Sequence, residues 1–241
     1  MYGKQYVLVR RMETLREDRP TRAKSLTHRV HHVRRLTDST FVLRVDRHNL
    51  VFEPGQYINV GLKGTIAMRE YSVYSGSGED FLEILVKEVE GGLVSKALAR
   101  LKEGDPVALD GPFGFFTIDA EERERGKFLF VATGTGISPF HCFAKSLPGL
   151  DYRLLHGVRT SGEQYDQAVF EGDRYLPCVS REQGAAASGY SGRVTTYLKE
   201  HPVDGASLCY LCGNCDMIYE VFDILRSQGV PANHLFAEVY F

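Results

Sequence analysis

The hydrophobic rhythm of this 241-residue sequence changes near residue 120. Before that point the apolar residues fall in short β-branched runs at 26–30, 40–45, 56–62, 82–89 and 106–110, with Gly, Pro and Asp between them. Short strands punctuated in this way predict a small antiparallel barrel. One stretch differs: Leu93, Val94, Ala97, Leu98 and Leu101 lie at helical spacing, so the barrel is expected to carry one helix opening after Gly91 and Gly92. Beyond residue 126 strands and helical patterns alternate. Strands are expected at 127–132, 151–158, 178–180 and 207–213, and a helix at 216–229 that stops at Gly229 and Pro231. Alternation of this kind implies a doubly wound parallel sheet. The expected fold class is therefore two-domain, an antiparallel β-barrel with one helix followed by an α/β doubly wound parallel sheet. We divide the chain into an extension at 1–22, the barrel at 23–120 and the α/β domain at 126–241, with the boundary in the charged stretch 121–126.

Composition narrows the classes. No apolar run approaches the roughly 20 residues that span a bilayer, so no membrane association is expected. The N-terminus lacks the apolar core of a signal peptide. Five cysteines at irregular spacing do not read as a disulfide framework and point to a reduced, cytoplasmic setting. Residues 1–47 hold 12 Lys/Arg against 5 Asp/Glu, a net of +7, and the rest holds 17 against 26, a net of −9. A basic N-terminal third can steer an acidic partner, or it can be an ordinary solvated surface. Nucleic acid is not expected, because the whole chain carries −2 and aromatic residues are not interleaved with the basic ones.

Five motifs carry chemistry. The first is the strand 127–132 running into Thr133, Gly134, Thr135, Gly136, Ile137, Ser138, Pro139 and Phe140. A glycine turn before a helix exposes backbone N–H groups that suit a pyrophosphate, although Pro139 stands where a dinucleotide fingerprint has its third glycine. The second is Arg69, Glu70, Tyr71 and Ser72: a guanidinium for phosphate, a phenol ring for an aromatic cofactor and a hydroxyl for a ring heteroatom, or else a plain strand. The third is Gly91, Gly92, Leu93, Val94 and Ser95, either a phosphate-binding helix start or an ordinary turn. The fourth is Cys212, Gly213, Asn214, Cys215 and Met217, at the carboxyl end of an expected parallel strand where open α/β sheets place ligands. Its C-x-x-C pair also allows a redox or zinc reading, for which His234 is the nearest further ligand. The fifth is the ending Glu238, Val239, Tyr240 and Phe241, either a last strand or an aromatic cover for a planar cofactor. Arg159, Arg181 and Arg193 fall in loops at strand ends and can together hold a ribose 2′-phosphate.

In this order and spacing the motifs resemble the ferredoxin–NADP reductase family, specifically its bacterial type, over nearly the whole chain beyond residue 22. The family's R-x-Y-S is matched by Arg69, Tyr71 and Ser72, its pyrophosphate segment by Gly92, Leu93, Val94 and Ser95, and its G-T-G-I-x-P-F loop by Gly134 to Phe140. Its C-G-N-x-x-M is matched by Cys212, Gly213, Asn214 and Met217, and its S-R-E by Ser180, Arg181 and Glu182. The resemblance implies an FAD barrel followed by an NADP domain. It places Arg69, Glu70, Tyr71, Ser72, Val86, Gly92, Leu93, Val94, Ser95, Thr135, Tyr240 and Phe241 at FAD, with Tyr71 on one flavin face, Tyr240 on the other and Phe241 toward the adenine. It places Gly134, Thr135, Gly136, Arg159, Ser180, Arg181, Arg193, Cys212, Gly213, Asn214 and Met217 at NADP, and Ser72, Cys212, Glu238 and Tyr240 at the reacting centre. It implies no metal.

The activity implied is FAD-dependent hydride exchange with NADP(H), coupled to single-electron exchange with an acidic carrier, ferredoxin or flavodoxin, by a monomer. The plant-type four-cysteine cluster pattern is absent from these residues, so the electrons are expected to pass to another protein. The alternatives are a flavin reductase, an NAD(P)H-linked electron-transfer component of an oxygenase, and a non-catalytic flavin redox sensor using Cys212 and Cys215.

Overall fold

The computed structural model describes residues 27–170, 172–182 and 189–240. The N-terminal stretch 1–22 and Phe241 lie outside the described residues. Two six-stranded sheets account for the architecture, one antiparallel and one parallel.

The first sheet contains β1 (His28–Arg35), β2 (Thr40–Asp46), β3 (Tyr57–Leu62), β4 (Met68–Ser72), β5 (Phe81–Lys87) and β6 (Pro106–Phe113) in the order β4-β3-β6-β1-β2-β5, every pair antiparallel. An isolated bridge between Val73 and Ile84 brings the two outer strands together and curls the sheet into a barrel. Phe41, Leu43 and Val45 of β2 point into the barrel core with Ile58, Val60, Ile84 and Val107. The alternate residue Val42 points outward, and with Leu85 it joins a second core shared with the rest of the chain. Burial on both faces explains why 40–45 reads as a nearly continuous apolar run rather than an alternating one. The short helix α1 (Leu93–Leu98) drops Val94 and Leu98 into the barrel core.

The charged stretch 121–126 is not a bare boundary. It forms helix α2 (Ala120–Arg125), closed by a capping box in which Asp119 accepts from the Glu122 N–H and the Glu122 side chain accepts from Asp119 N–H. The second sheet follows, with β7 (Phe128–Thr133), β8 (Tyr152–Val158), β9 (Tyr175–Val179), β10 (Tyr190–Ser191), β11 (Leu208–Asn214) and β12 (Leu235–Tyr240) in the order β10-β9-β8-β7-β11-β12, all parallel. Helices α3 (Ser138–Ser146), α4 (Val194–Glu200) and α5 (Cys215–Ser227) connect its strands. Asn214 caps α5 by accepting from the Met217 N–H at 3.2 Å, and Ile218, Val221 and Leu225 bury its apolar face. This is the two-domain fold class expected from the rhythm of the sequence.

The two halves share one core. Val42, Tyr74 and Leu85 from the barrel side meet Phe116, Phe130, Phe140, Phe143 and Tyr210. The rings interlock, with Phe130 and Phe140 stacked at 4.7 Å between centroids and Tyr210 and Phe236 at 4.5 Å.

Candidate active site

The parallel sheet reverses direction between β7 and β11. From β7 the chain continues on one side to β8, β9 and β10, then returns to the other side for β11 and β12. The crevice at the carboxyl ends of β7 and β11 is the switch point of an open α/β sheet. Two of the sequence motifs meet there. The glycine loop forms a 3-10 turn, Gly134–Ile137, that runs directly into α3 with Pro139 in its first turn, a position proline tolerates.

The glycines of this crevice do different things. Gly134 lies at φ +53° and faces open space, so its need is conformational. Gly136 sits where a Cβ would collide with the Cys212 carbonyl, and at Gly213, φ +130°, a Cβ would strike the Thr133 hydroxyl. The loops after β7 and β11 therefore interlock backbone to backbone. The Asn214 N–H completes the lock by donating to Thr133 Oγ1 at 2.9 Å.

The strand pair β11–β12 places Cys212 opposite Glu238 and Asn214 opposite Tyr240. Ser72, the last residue of β4, reaches this pair from the barrel. Its hydroxyl donates to Glu238 Oε2 at 2.9 Å and accepts from the Tyr240 hydroxyl at 2.6 Å. Ser72 and Cys212 are buried, whereas Glu238 and Tyr240 are half-buried. Burial pushes the Glu238 carboxyl up to about 7, against the Ser72 hydrogen bond that favours its charge. Burial, reinforced by Glu238, also pushes the Cys212 thiol well above its ordinary value. The structure thus brings Ser72, Cys212, Glu238 and Tyr240 together at the seam between barrel and sheet.

The other expected residues divide into those that face the seam region and those that fill cores. Tyr71 and Arg69 share the face of β4 opposite to Glu70 and Ser72. Tyr71 packs at the rim of the barrel core, and burial pushes its phenol up to about 12. Arg69 is exposed, and among the described residues its side chain donates to its neighbour's carbonyl, that of Met68, at 2.8 Å. Helix α1, which packs against β3, starts at Leu93 after Gly92 with no side-chain cap. Ser95 spends its hydroxyl locally, accepting from the Val89 N–H at 3.2 Å. Val86 and Met217 do not join the cluster, because their side chains are buried in the barrel core and in the α5 core.

Arg159 follows β8, Ser180 and Arg181 follow β9, and Arg193 caps α4. The Arg181 N–H donates to the Arg159 carbonyl at 2.9 Å, which sets these two residues side by side. The Ser180 hydroxyl donates to the Val158 carbonyl at 3.1 Å. All four residues are exposed, and none of the three arginines forms an ion pair among the described residues. Cys212 and Cys215 are both free thiols, one buried within β11 and one opening α5. Among the described residues no cluster suits a metal ion, and no helix is long and apolar enough to cross a membrane.

Sequence reading assigns no role to two histidines, His141 after the glycine loop and His156 in a strand, and both are buried. His156 in β8 sets its Nε2 2.9 Å from the Gly134 carbonyl and its Nδ1 2.9 Å from the Tyr175 hydroxyl. His141 in α3 stacks on Tyr74 at 3.7 Å and bonds the Tyr74 carbonyl through Nδ1 at 2.7 Å. The only local signal was a polar residue inside an apolar run.

Known proteins share much of this sequence and fold. The family of oxidoreductase FAD-binding domains matches residues 25–118. Ferredoxin–NADP reductase B of Sorangium cellulosum is 31% identical over 219 residues, which cover 82% of this chain and 88% of that one. The chain belongs to the ferredoxin–NADP reductase family. Other members and neighbours of that family broaden the picture. The toluate 1,2-dioxygenase electron transfer component of Pseudomonas putida is 31% identical over 226 residues, 85% of this chain and 64% of that one. A ferredoxin–NADP+ reductase from Neisseria gonorrhoeae, solved with FAD and NADP bound, superposes with a TM-score of 0.80 at 25% identity, over 91% of this chain and all of that one. The chain spans less than two thirds of the first curated relatives it matches, 64%, 55% and 60% of their lengths.

Proposed function

We propose that this chain is an FAD-dependent oxidoreductase that moves electrons between NADP(H) and a separate one-electron carrier, ferredoxin or flavodoxin. The observation that carries the reading is the hydrogen-bonded chain from Tyr240 through Ser72 to Glu238, beside Cys212, at the switch point of a parallel sheet and against a barrel. The donor set fits a flavin dinucleotide. An exposed guanidinium on Arg69 and the uncapped first turn of α1 offer contacts for phosphate, and Tyr71 offers a ring at the barrel rim.

In this reading Arg69, Gly92, Leu93, Val94 and Ser95 hold the FAD phosphates, Tyr71 lies against one face of the flavin and Tyr240 covers the other. FAD supplies the conversion between two-electron hydride chemistry and single-electron transfer. Gly134, Thr135 and Gly136 present N–H groups to the nicotinamide dinucleotide, with Gly213 and Asn214 across the crevice. Arg159, Ser180, Arg181 and Arg193 take its 2′-phosphate. Ser72, with Glu238 behind it, holds a proton-bearing hydroxyl at the reacting centre, and Tyr240 gives up its bond to Ser72 when the nicotinamide enters.

A second reading, the reductase component of an oxygenase, is favoured by the likeness to the toluate dioxygenase component. Nucleotide preference separates the two. The purified protein is expected to show a flavin spectrum, to be bleached anaerobically by NADPH well ahead of NADH, and to be reoxidised by added ferredoxin or flavodoxin. Bleaching by NADH as fast as by NADPH would transfer the assignment to the second reading. Failure to bind flavin would remove both.

A further inference from the structure

His156 stands in β8 with its ring wholly buried, and nothing in the proposed reaction uses it. Both of its nitrogens are engaged. A carbonyl oxygen can only accept, so the bond to Gly134 requires the proton on Nε2. Nδ1 is then the acceptor for the Tyr175 hydroxyl, itself held by β9. The Gly134 carbonyl therefore selects the tautomer of His156, and the Tyr175 hydroxyl, by donating to Nδ1, holds the ring in its plane.

The consequence lies in the peptide that His156 grips. A trans peptide points its C=O and its N–H in opposite directions. Drawing the Gly134 carbonyl inward to the imidazole turns the Thr135 N–H outward, to the open side of the loop. Gly134 is at φ +53° with no side chain to resist rotation, and the peptide lies in a short 3-10 turn rather than in a sheet ladder. A flipped peptide would present an oxygen where a phosphate is to sit.

We propose that His156, oriented by Tyr175, is a positioning residue for dinucleotide binding: it locks the Gly134–Thr135 peptide so that the loop offers N–H groups to the pyrophosphate. This rests on the nucleotide reading above and deepens it. Burial lowers the imidazole to about 4, so the ring stays neutral and keeps the required tautomer across the working pH range.

The test uses the flavin-loaded protein, titrated with NADP+ by perturbation of the flavin absorbance and with adenosine 2′-monophosphate by competition. The second ligand carries the 2′-phosphate and no pyrophosphate. His156→Leu is expected to weaken NADP+ about tenfold while leaving adenosine 2′-monophosphate and flavin content unchanged. His156→Gln, whose amide can both donate and accept, is expected to restore most of the loss. Tyr175→Phe, which removes the second anchor of the ring and leaves the buried Nδ1 without its donor, is expected to fall between, and it carries the test should the leucine variant not fold. Arg181→Ala should instead weaken both ligands. Wild-type affinity for NADP+ in His156→Leu and Tyr175→Phe overturns the assignment alone, as does an equal loss of both ligands in His156→Leu. A wild-type protein that binds no nucleotide overturns the parent reading and this one with it.

Discussion

Ser72 is the hinge of the site at the scale of single residues, since it bonds both Glu238 and Tyr240. The Glu238 carboxyl, held near 7 by burial, has a testable consequence for stability. Unfolded, a glutamate titrates near 4.3, so between about 4.3 and 7 the folded chain binds more protons than the unfolded one. Stability due to this group is fully present below that window and is lost as pH rises through it. Glu238→Gln should therefore stabilise the protein at pH 8, on the order of 1 kcal/mol once its partial exposure is allowed for, and leave it unchanged near pH 4. Thermal melts at the two values decide it, and an effect independent of pH would refute the buried-carboxylate account. Tyr240→Ser removes the ring and its 2.6 Å bond to Ser72, so the nicotinamide nucleotide is expected to bind up to about tenfold more tightly. Unchanged affinity in an absorbance titration would end the idea that the ring is a gate. At this scale the candidate site is legible in the sequence where its residues stand close together in the chain. Arg69, Ser72, Cys212 and Tyr240 stand in short local motifs, whereas His156 and His141 take their meaning from partners 22 and 67 residues away in the chain, which no local pattern records.

Between elements, the loops after β7 and β11 act as one unit because glycine lets their backbones touch. Gly136→Ala forces a methyl against the Cys212 carbonyl, and neither backbone can yield without shifting a strand of the sheet. Gly134→Ala meets no atom and pays only for a left-handed backbone, roughly 1–2 kcal/mol. Urea unfolding is therefore expected to rank Gly136→Ala as the more damaging, by more than about 2 kcal/mol overall. Equal midpoints for the two variants would show that the close approach is not rigid. Most strands of both sheets are legible from short apolar runs, β4 and β12 only as alternatives to a ligand-binding reading, and α5 from its periodicity and its stop at Gly229. Three elements were not read. β10 is a pair of residues, too short for any pattern, and α4 follows a loop with no repeating pattern. Residues 121–126 read as a charged boundary, although Asp119 and Glu122 spell out the capping box of α2. Charge density outweighed the capping signal in that reading, and a six-residue helix offers little periodicity to set against it.

For the molecule as a whole, the seam is held by polar contacts as well as by the shared aromatic core. Arg34 of β1 grips Asp166 through two hydrogen bonds, at 2.9 and 2.7 Å. Tyr74, just past β4, donates to the same carboxylate at 3.0 Å and stacks on His141 of α3. Asp166 itself lies beyond β8 at φ +47°, so a strained residue of the second half is fixed by two residues of the first. Burial opposes the charge on Asp166, but Arg34 and the Tyr74 hydroxyl outweigh it and hold the carboxyl below its usual range. Asp166→Ala leaves a guanidinium and a buried phenol without their acceptor, at an expected cost of about 2 kcal/mol. Because Phe116, Phe130, Phe140 and Tyr210 continue the contact into one core, that loss should be felt by both halves together. Calorimetry is expected to show a single transition in the wild type and a single, lower one in Asp166→Ala, with flavin release coinciding in each. Two separated transitions in the wild type would mean that the seam joins independent folding units, and a lowered temperature for only one half of the variant would confine Asp166 to local repair of its own loop.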